Sequence, residues 1–99
     1  MIKVENKKNY KGDGFYIGRP SPLGNPFKVD AKNPRSKAIA QYRVWLDGML
    51  KTDNPTSRAF NVLLDYYKKE GSLILICWCV PLQCHAEVIA EFIQNRRGK

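Results

Sequence analysis

The sequence predicts a small α/β domain, with a short sheet, a buried central strand over about residues 73–79 and three helices packed on the sheet. Two patterns predict this class. Residues 73–79 form an unbroken apolar run, which is typical of a strand covered on both faces. Three other segments place their apolar residues at helical spacing. Because 99 residues supply one hydrophobic core, we expect a single domain over residues 1–99.

The N-terminal part is predicted to contain two short strands. Residues 1–5 alternate apolar and polar side chains, and the polar segment 7–14 with its two glycines predicts a loop. Residues 15–17 are a second strand candidate. Three prolines and two glycines then fall within residues 18–26, so we expect an irregular loop of largely fixed shape.

Two helices are predicted between this loop and the central strand. The first begins near Arg35, after Asn33-Pro34, and the second begins with Asn54 as N-cap, followed by a proline at the first helical position. Gly71 ends the second helix. The apolar stripes are Ile39, Tyr42, Trp45, Leu46, Met49 and Leu50 in the first helix, and Phe60, Leu63, Leu64 and Tyr67 in the second.

The third helix begins near Cys84 and follows a short turn after the central strand. Its apolar side consists of Val88, Ile89, Phe92 and Ile93. In α/β sheets, ligands bind where strands end and helices begin, and Cys79 and Cys84 both belong to that place. The odd number of cysteines favours reduced thiols over disulfides.

The cysteine turn offers candidate reactive groups. A thiolate at Cys84 would be stabilised by the helix N-terminus, whereas Glu87, placed to form a capping box with Cys84, would oppose it. His85 has two interpretations. Its position on the apolar stripe is typical of a packed histidine bonded to a backbone carbonyl, but the neighbouring thiols also make it a candidate functional group.

A metal site is not favoured, although four candidate ligands lie close in sequence. If a metal such as zinc were bound, the ligands would be Cys77, Cys79, Cys84 and His85. In a regular strand Cys77 and Cys79 stand about 7 Å apart, which is too wide for a tetrahedral site. Cys84 and His85, adjacent on a helix, are expected to point in different directions. Cys77 is therefore expected to be a small core residue.

Charge limits the classes of partner. The formal charge is +8, and the first 37 residues hold nine Lys and Arg against three acidic residues. Such a surface attracts nucleotides or nucleic acid. No apolar run approaches the roughly 20 residues of a membrane span, and the first six residues lack the apolar segment of a signal peptide. We therefore expect a soluble cytoplasmic protein with no membrane partner. Because the metal site is not favoured, we also expect no cofactor.

Two separated motifs resemble those of the DUF4326 family, small domains of bacteria and phages with no established activity. They are GRPS-x-x-GNPF over residues 18–27 and CWC-x-P-x-x-CH over residues 77–85. The resemblance extends from about Phe15 to Phe92, and it implies the host cytoplasm if a phage encodes the chain. Leu23 stands where many members have tryptophan.

The resemblance implies that the proline-rich loop and the cysteine turn face one another across one pocket. The loop would supply Arg19, Ser21 and Asn25 as ligand-binding residues. The turn would supply the reactive or recognising groups, which are Cys79, Cys84 and His85. The alternative is a loop that only caps the sheet, with Asn25 bonding its own turn.

Three functions follow as hypotheses. The first is a domain that binds a nucleotide or another phosphorylated metabolite, with or without an activity in which Cys84 or Cys79 is the nucleophile and His85 the base. The second is a basic protein that binds nucleic acid or a host component. The third is a zinc-stabilised structural module.

Overall fold

The part of the chain that the structure describes folds into three helices and one three-stranded sheet, in the predicted order. The structure is a computed structural model that describes residues 1–78 and 84–97. The elements are β1 (Ile2–Asn6), β2 (Phe15–Tyr16), α1 (Arg35–Met49), α2 (Pro55–Glu70), β3 (Leu73–Cys77) and α3 (Ala86–Arg97). The predicted α/β class is thus confirmed. None of the helices in the described part of the chain is long and apolar enough to cross a membrane.

β3 is the central strand of a parallel sheet with the order β1-β3-β2. Ile2 of β1 lies opposite Leu73, and Phe15 of β2 lies opposite Leu75. The pairing continues beyond β2, because the Ile17 N–H donates to the Ile76 carbonyl at 2.9 Å. β1 and β2 are not neighbours in this order. The sheet therefore forms only when β3, which comes later in the sequence, pairs with both of them.

The two faces of β3 are covered unequally, which corrects the expectation of a strand covered on both faces. Leu73, Leu75 and Cys77 are buried in a core that contains residues from all three helices. Ile74 and Ile76 point to the opposite face and are only half-buried. They pack closely against Gly14, where an added Cβ would lie 2.8 Å from Ile76 Cδ1. The run is unbroken because the second face is partly covered by the chain before β2.

Local signals set the ends of α2 as predicted. Asn54 Oδ1 accepts the Ser57 N–H at 2.8 Å, while the Asn54 N–H donates to Ser57 Oγ at 3.0 Å, so a reciprocal capping box begins the helix. Gly71 follows the helix with φ of 75°, in the left-handed region that favours glycine. The predicted buried residues Phe60, Leu63, Leu64 and Tyr67 all lie in the core.

The proline-rich loop is fastened to the first two helices. The Tyr42 hydroxyl of α1 donates to the Leu23 carbonyl at 2.7 Å, and Thr56 Oγ1 of α2 donates to the Pro22 carbonyl at 2.8 Å. Leu23 itself is buried in the core. These contacts hold the loop at the end of the sheet where β3 finishes.

Two boundaries near that end differ from the sequence prediction. β3 ends at Cys77, and α3 begins at Ala86 rather than near Cys84. Cys79, at the predicted end of the central strand, lies outside the described residues. Cys84 and His85 consequently belong to the segment before α3, which changes where their side chains point.

Candidate functional site

A cavity of about 270 Å³ lies where β3 ends, between the proline-rich loop and the start of α3. The loop lines it with Arg19 and Asn25, and the segment before α3 lines it with Cys84 and His85. Cys77 also reaches it from the end of β3. The carboxyl end of a parallel sheet is the usual location of ligand sites in α/β folds.

Arg19 and Asn25 serve the loop as well as the cavity. Arg19 Nε donates to the Asn25 carbonyl at 2.7 Å, and Arg19 Nη2 donates to the Phe27 carbonyl at 3.3 Å. Asn25 Oδ1 accepts the Phe27 N–H at 2.9 Å. Asn25 thus bonds its own turn, as expected of a loop that caps the sheet. The Arg19–Pro20 peptide bond is cis. These hydrogen bonds stabilise the shape of the loop, and the Arg19 side chain also lines the cavity.

Ser21 is not brought together with Arg19 and Asn25. It lines a separate cavity of about 190 Å³, between β2 and α2. Its N–H donates to the Gly18 carbonyl at 2.8 Å, and its buried hydroxyl oxygen has no hydrogen-bond partner within residues 1–78 and 84–97. Ser21 therefore does not line the cavity that Arg19 and Asn25 share.

Cys84 is the centre of a cluster of polar contacts. Its sulfur lies 3.0 Å from Cys77 Sγ and 3.5 Å from His85 Nδ1. It also accepts the Ala86 backbone N–H at 3.4 Å. The expectation that Cys84 and His85 point apart is wrong, because neither residue has yet entered the helix. Cys79, the other predicted reactive thiol, lies outside the described residues.

The two nitrogens of His85 have different partners. Nε2 lies 2.7 Å from the Ile17 carbonyl oxygen, which can only accept. We therefore assign the proton to Nε2, which leaves Nδ1 as an acceptor facing the Cys84 thiol. Burial lowers the pKa of His85 and the carbonyl bond opposes this, while the positive charge of Arg19 lowers the pKa further. The imidazole is thus neutral at pH 7.

Tyr42 closes the cluster on the side of α1. Its ring meets the His85 ring edge-on, with 4.9 Å between centroids. Burial raises the pKa of Tyr42, and negative charge on Cys84 raises it further. The hydroxyl therefore stays protonated and keeps its bond to the loop carbonyl of Leu23.

The four candidate metal ligands are only partly assembled. Within the ranges that the structure describes, no group of three or more His, Cys, Asp or Glu residues could hold a metal ion. Cys77, Cys84 and His85 do cluster, but His85 Nε2 is engaged by the Ile17 carbonyl. Cys79 is not among the described residues.

Sequence reasoning missed several residues of the cavity. Arg35, the first residue of α1, lines it, and so do the aromatic residues Tyr16, Phe27 and Trp78. A positive charge in the first turn of a helix interacts unfavourably with the helix dipole. The position of Arg35 was therefore a signal in the sequence that this residue does something other than stabilise its helix. Trp78 is 56% exposed and donates from Nε1 to the Tyr16 hydroxyl at 3.1 Å. An exposed tryptophan beside the CWC motif was a second signal.

The fold and the cavity define a small α/β domain with a buried Cys/His cluster at the carboxyl end of its sheet. The family model described as domain of unknown function DUF4326 matches residues 2–95, and the chain belongs to this family. Neither the search of curated proteins nor the search of solved structures found a match.

Proposed function

We propose that the protein binds a small phosphorylated ligand, a mononucleotide or a metabolite of similar size, in the cavity at the end of β3. The observation that carries the proposal is that two arginines from different elements, Arg19 of the loop and Arg35 of α1, line the same cavity. Guanidinium groups form charge-assisted, forked hydrogen bonds with phosphate oxygens. Two of them on one cavity favour an anionic ligand.

The backbone around the cavity adds to the attraction for an anion. Arg35 is the first residue of α1, and Cys84 and His85 immediately precede α3, so two helix N-termini lie beside the cavity. Unpaired backbone N–H groups and the helix dipole make such ends favourable for phosphate. The anion site does not depend on the N-termini alone, because both arginines lie there.

Aromatic side chains and size support a nucleotide-like ligand. Tyr16, Phe27 and Trp78 line the cavity, and aromatic rings stack on nucleobases with little sequence preference. Ligand pockets for drug-sized molecules measure roughly 300–1,000 Å³. A cavity of about 270 Å³ lies just below this range, which favours a mononucleotide or a smaller metabolite over a dinucleotide.

Cys84 and His85 support an activity on the bound ligand as an extension of this proposal. The thiol would act as nucleophile, and His85 Nδ1, which lies 3.5 Å away, would take its proton. Without such a step, the same residues would only contact the ligand. Turnover of a bound phosphorylated compound, lost in Cys84→Ala while binding is retained, would distinguish the two.

The test is calorimetric titration with nucleoside monophosphates, the matching nucleosides and inorganic phosphate. We expect the monophosphates to bind more tightly than the nucleosides, and Arg35→Gln to weaken them at least tenfold, since a hydrogen bond to a charged group contributes about 1.5–3 kcal/mol. Arg58→Gln is the matched control, because Arg58 lies on the exposed surface and pairs with Asp53 at 2.9 Å. Equal affinities for nucleoside and monophosphate, or binding that survives Arg19→Gln and Arg35→Gln together, would overturn the proposal.

Nucleic-acid binding is the competing proposal, favoured by the charge of +8 and by Lys7, whose Nζ lies 5.3 Å from the centre of the Tyr16 ring at the cavity rim. Electrostatic binding of this kind falls steeply with salt. Retardation of single-stranded or duplex oligonucleotides at low salt, lost at high salt, would support it. No retardation at low salt would exclude it.

A further inference from the structure

The Cys77 and Cys84 thiols lie close together, with 3.0 Å between the two sulfur atoms. Cys77 ends β3, and Cys84 lies seven residues later, before α3. A disulfide bond measures about 2.05 Å, so a small side-chain movement would join these sulfurs. Neither thiol is needed for the anion site of Arg19 and Arg35.

We propose that Cys77 and Cys84 are a redox-active dithiol that reduces a small hydroperoxide and becomes an intramolecular disulfide. This activity goes beyond the proposed ligand binding and does not depend on it. Cytosolic disulfides, where they occur, are usually transient and catalytic or redox-sensing.

Cys84 is the thiol that attacks the peroxide. Its sulfur accepts the Ala86 N–H, faces the acceptor nitrogen of His85, and lies within hydrogen-bonding distance of the Cys77 thiol. Donors to the sulfur stabilise the thiolate, and His85 Nδ1 provides a place for the proton. Cys77 has the position of the second, resolving thiol.

The chemistry balances in two steps. In the first, His85 Nδ1 takes the Cys84 proton, the thiolate attacks a peroxide oxygen, and the O–O bond breaks. Cys84 becomes a sulfenic acid and the departing alkoxide takes the proton from His85 to leave as alcohol. In the second, Cys77 sulfur attacks Cys84 sulfur, the S–S bond forms, and hydroxide leaves with the Cys77 proton as water. Two thiols and one hydroperoxide give one disulfide, one alcohol and one water.

Access limits the oxidant to a small molecule. Cys77 and Cys84 are only 1% and 3% exposed, so a protein disulfide could not approach them. Both thiols line the cavity of about 270 Å³, through which a hydroperoxide can reach them. Hydrogen peroxide is the simplest probe of this class.

The experiment treats the full chain with equimolar hydrogen peroxide, alkylates the remaining thiols, and measures intact mass and linked peptides. We expect free thiols to fall from three to one, a mass loss of two hydrogens, and a peptide that joins Cys77 to Cys84, all reversed by dithiothreitol. Cys79→Ser is the matched control and should form the same link. Cys77→Ser should form no such link and should carry a sulfenic acid on Cys84 that dimedone traps.

Two results would overturn the proposal. One is a native chain that keeps all three thiols at a peroxide level that oxidises the urea-unfolded chain. The other is a linked peptide that contains Cys79 in place of Cys77 or Cys84. Both results are measured on the unsubstituted protein. They therefore test the proposal even if Cys77→Ser fails to fold. No nucleotide is present, so the result is independent of the proposed ligand binding.

Discussion

His85 is held between a backbone carbonyl at 2.7 Å and a thiol at 3.5 Å, and these two contacts determine what a single residue does in this site. The carbonyl of Ile17 assigns the proton to Nε2, so the unprotonated nitrogen Nδ1 faces Cys84. The hydrogen bond between His85 Nε2 and the Ile17 carbonyl also links the end of β2 to the start of α3. His85 is therefore both a packed histidine and a potential proton acceptor, and the two interpretations of the sequence are compatible.

His85 should make stability depend on pH. Burial lowers its pKa in the folded chain, the hydrogen bond to the Ile17 carbonyl opposes this, and the charge of Arg19 lowers the pKa further, while the Tyr42 hydroxyl beside it stays protonated. The unfolded chain, with a histidine pKa of about 6.5, then binds more protons. The stabilisation by neutral His85 is complete above about pH 6.5 and is lost as pH falls through the lower folded pKa.

The variant His85→Gln isolates this effect, because its amide can donate to the Ile17 carbonyl but does not titrate in this range. Urea denaturation at pH 7.5, 6.5 and 5.5 should show the original chain losing more stability toward acid than the variant. Carboxylates titrate in both proteins, so the difference between the two curves is the quantity to compare. Parallel curves would contradict a buried neutral His85.

Individual side chains also show the limit of motif reasoning. Ser21 lies two residues from Arg19 in the GRPS motif, yet it lines a different cavity. Arg35 lies in neither motif, yet it lines the same cavity as Arg19. Sequence proximity in an irregular loop does not decide which side chains share a surface, because the backbone turns between them.

At the scale of elements, α2 is specified almost entirely by local signals. Asn54 receives the Ser57 N–H, and its Nδ2 also donates to the Met49 carbonyl at 2.9 Å, so one side chain links the end of α1 to the start of α2. Gly71 supplies the left-handed residue at the other end. Such signals act through neighbouring atoms, and this is why the bounds of α2 could be predicted closely.

Replacement of the cap tests this account. Asn54→Ala should lower the free energy of unfolding by about 1–2 kcal/mol, the range for loss of a capping side chain. Asn54→Asp keeps the acceptor for Ser57 but loses the donor to Met49, so it should cost less. Urea denaturation of both variants beside Asn61→Ala, an exposed control on the same helix, makes the comparison. A cost for Asn54→Ala no larger than that of the control would show that the capping box contributes nothing.

Across the whole molecule, the helices contribute to one core on one side of the sheet. Leu75 is fully buried in that core, whereas Ile74, one residue earlier, points to the half-covered face. The sheet itself assembles from β1 and β2, which pair with β3 across long stretches of chain. Stability should therefore depend far more on one face of β3 than on the other.

Alanine substitutions in β3 measure the difference between the faces. Leu75→Ala should cost about 2–5 kcal/mol, because it leaves a cavity in a closed core. Ile74→Ala should cost less, about 1–2 kcal/mol, because part of its surface is already in water. Denaturation curves of the two variants provide the test. Equal losses would mean that both faces of β3 are covered in solution.

By itself, the sequence determined the element order, the buried stripes of α2 and α3 and the ends of α2, because periodicity, capping and turn residues act over a few positions. Its two motifs identified the family. It also predicted a site between the two motifs, from which Arg19, Asn25, Cys84 and His85 line one cavity. Only the tertiary structure decided that Arg35, Tyr16 and Trp78 join Arg19 at one cavity, and that Cys77, Cys84 and His85 meet. The reason is physical: these contacts depend on where parallel strands distant in sequence end, and on a helix that begins two residues later than its pattern indicated.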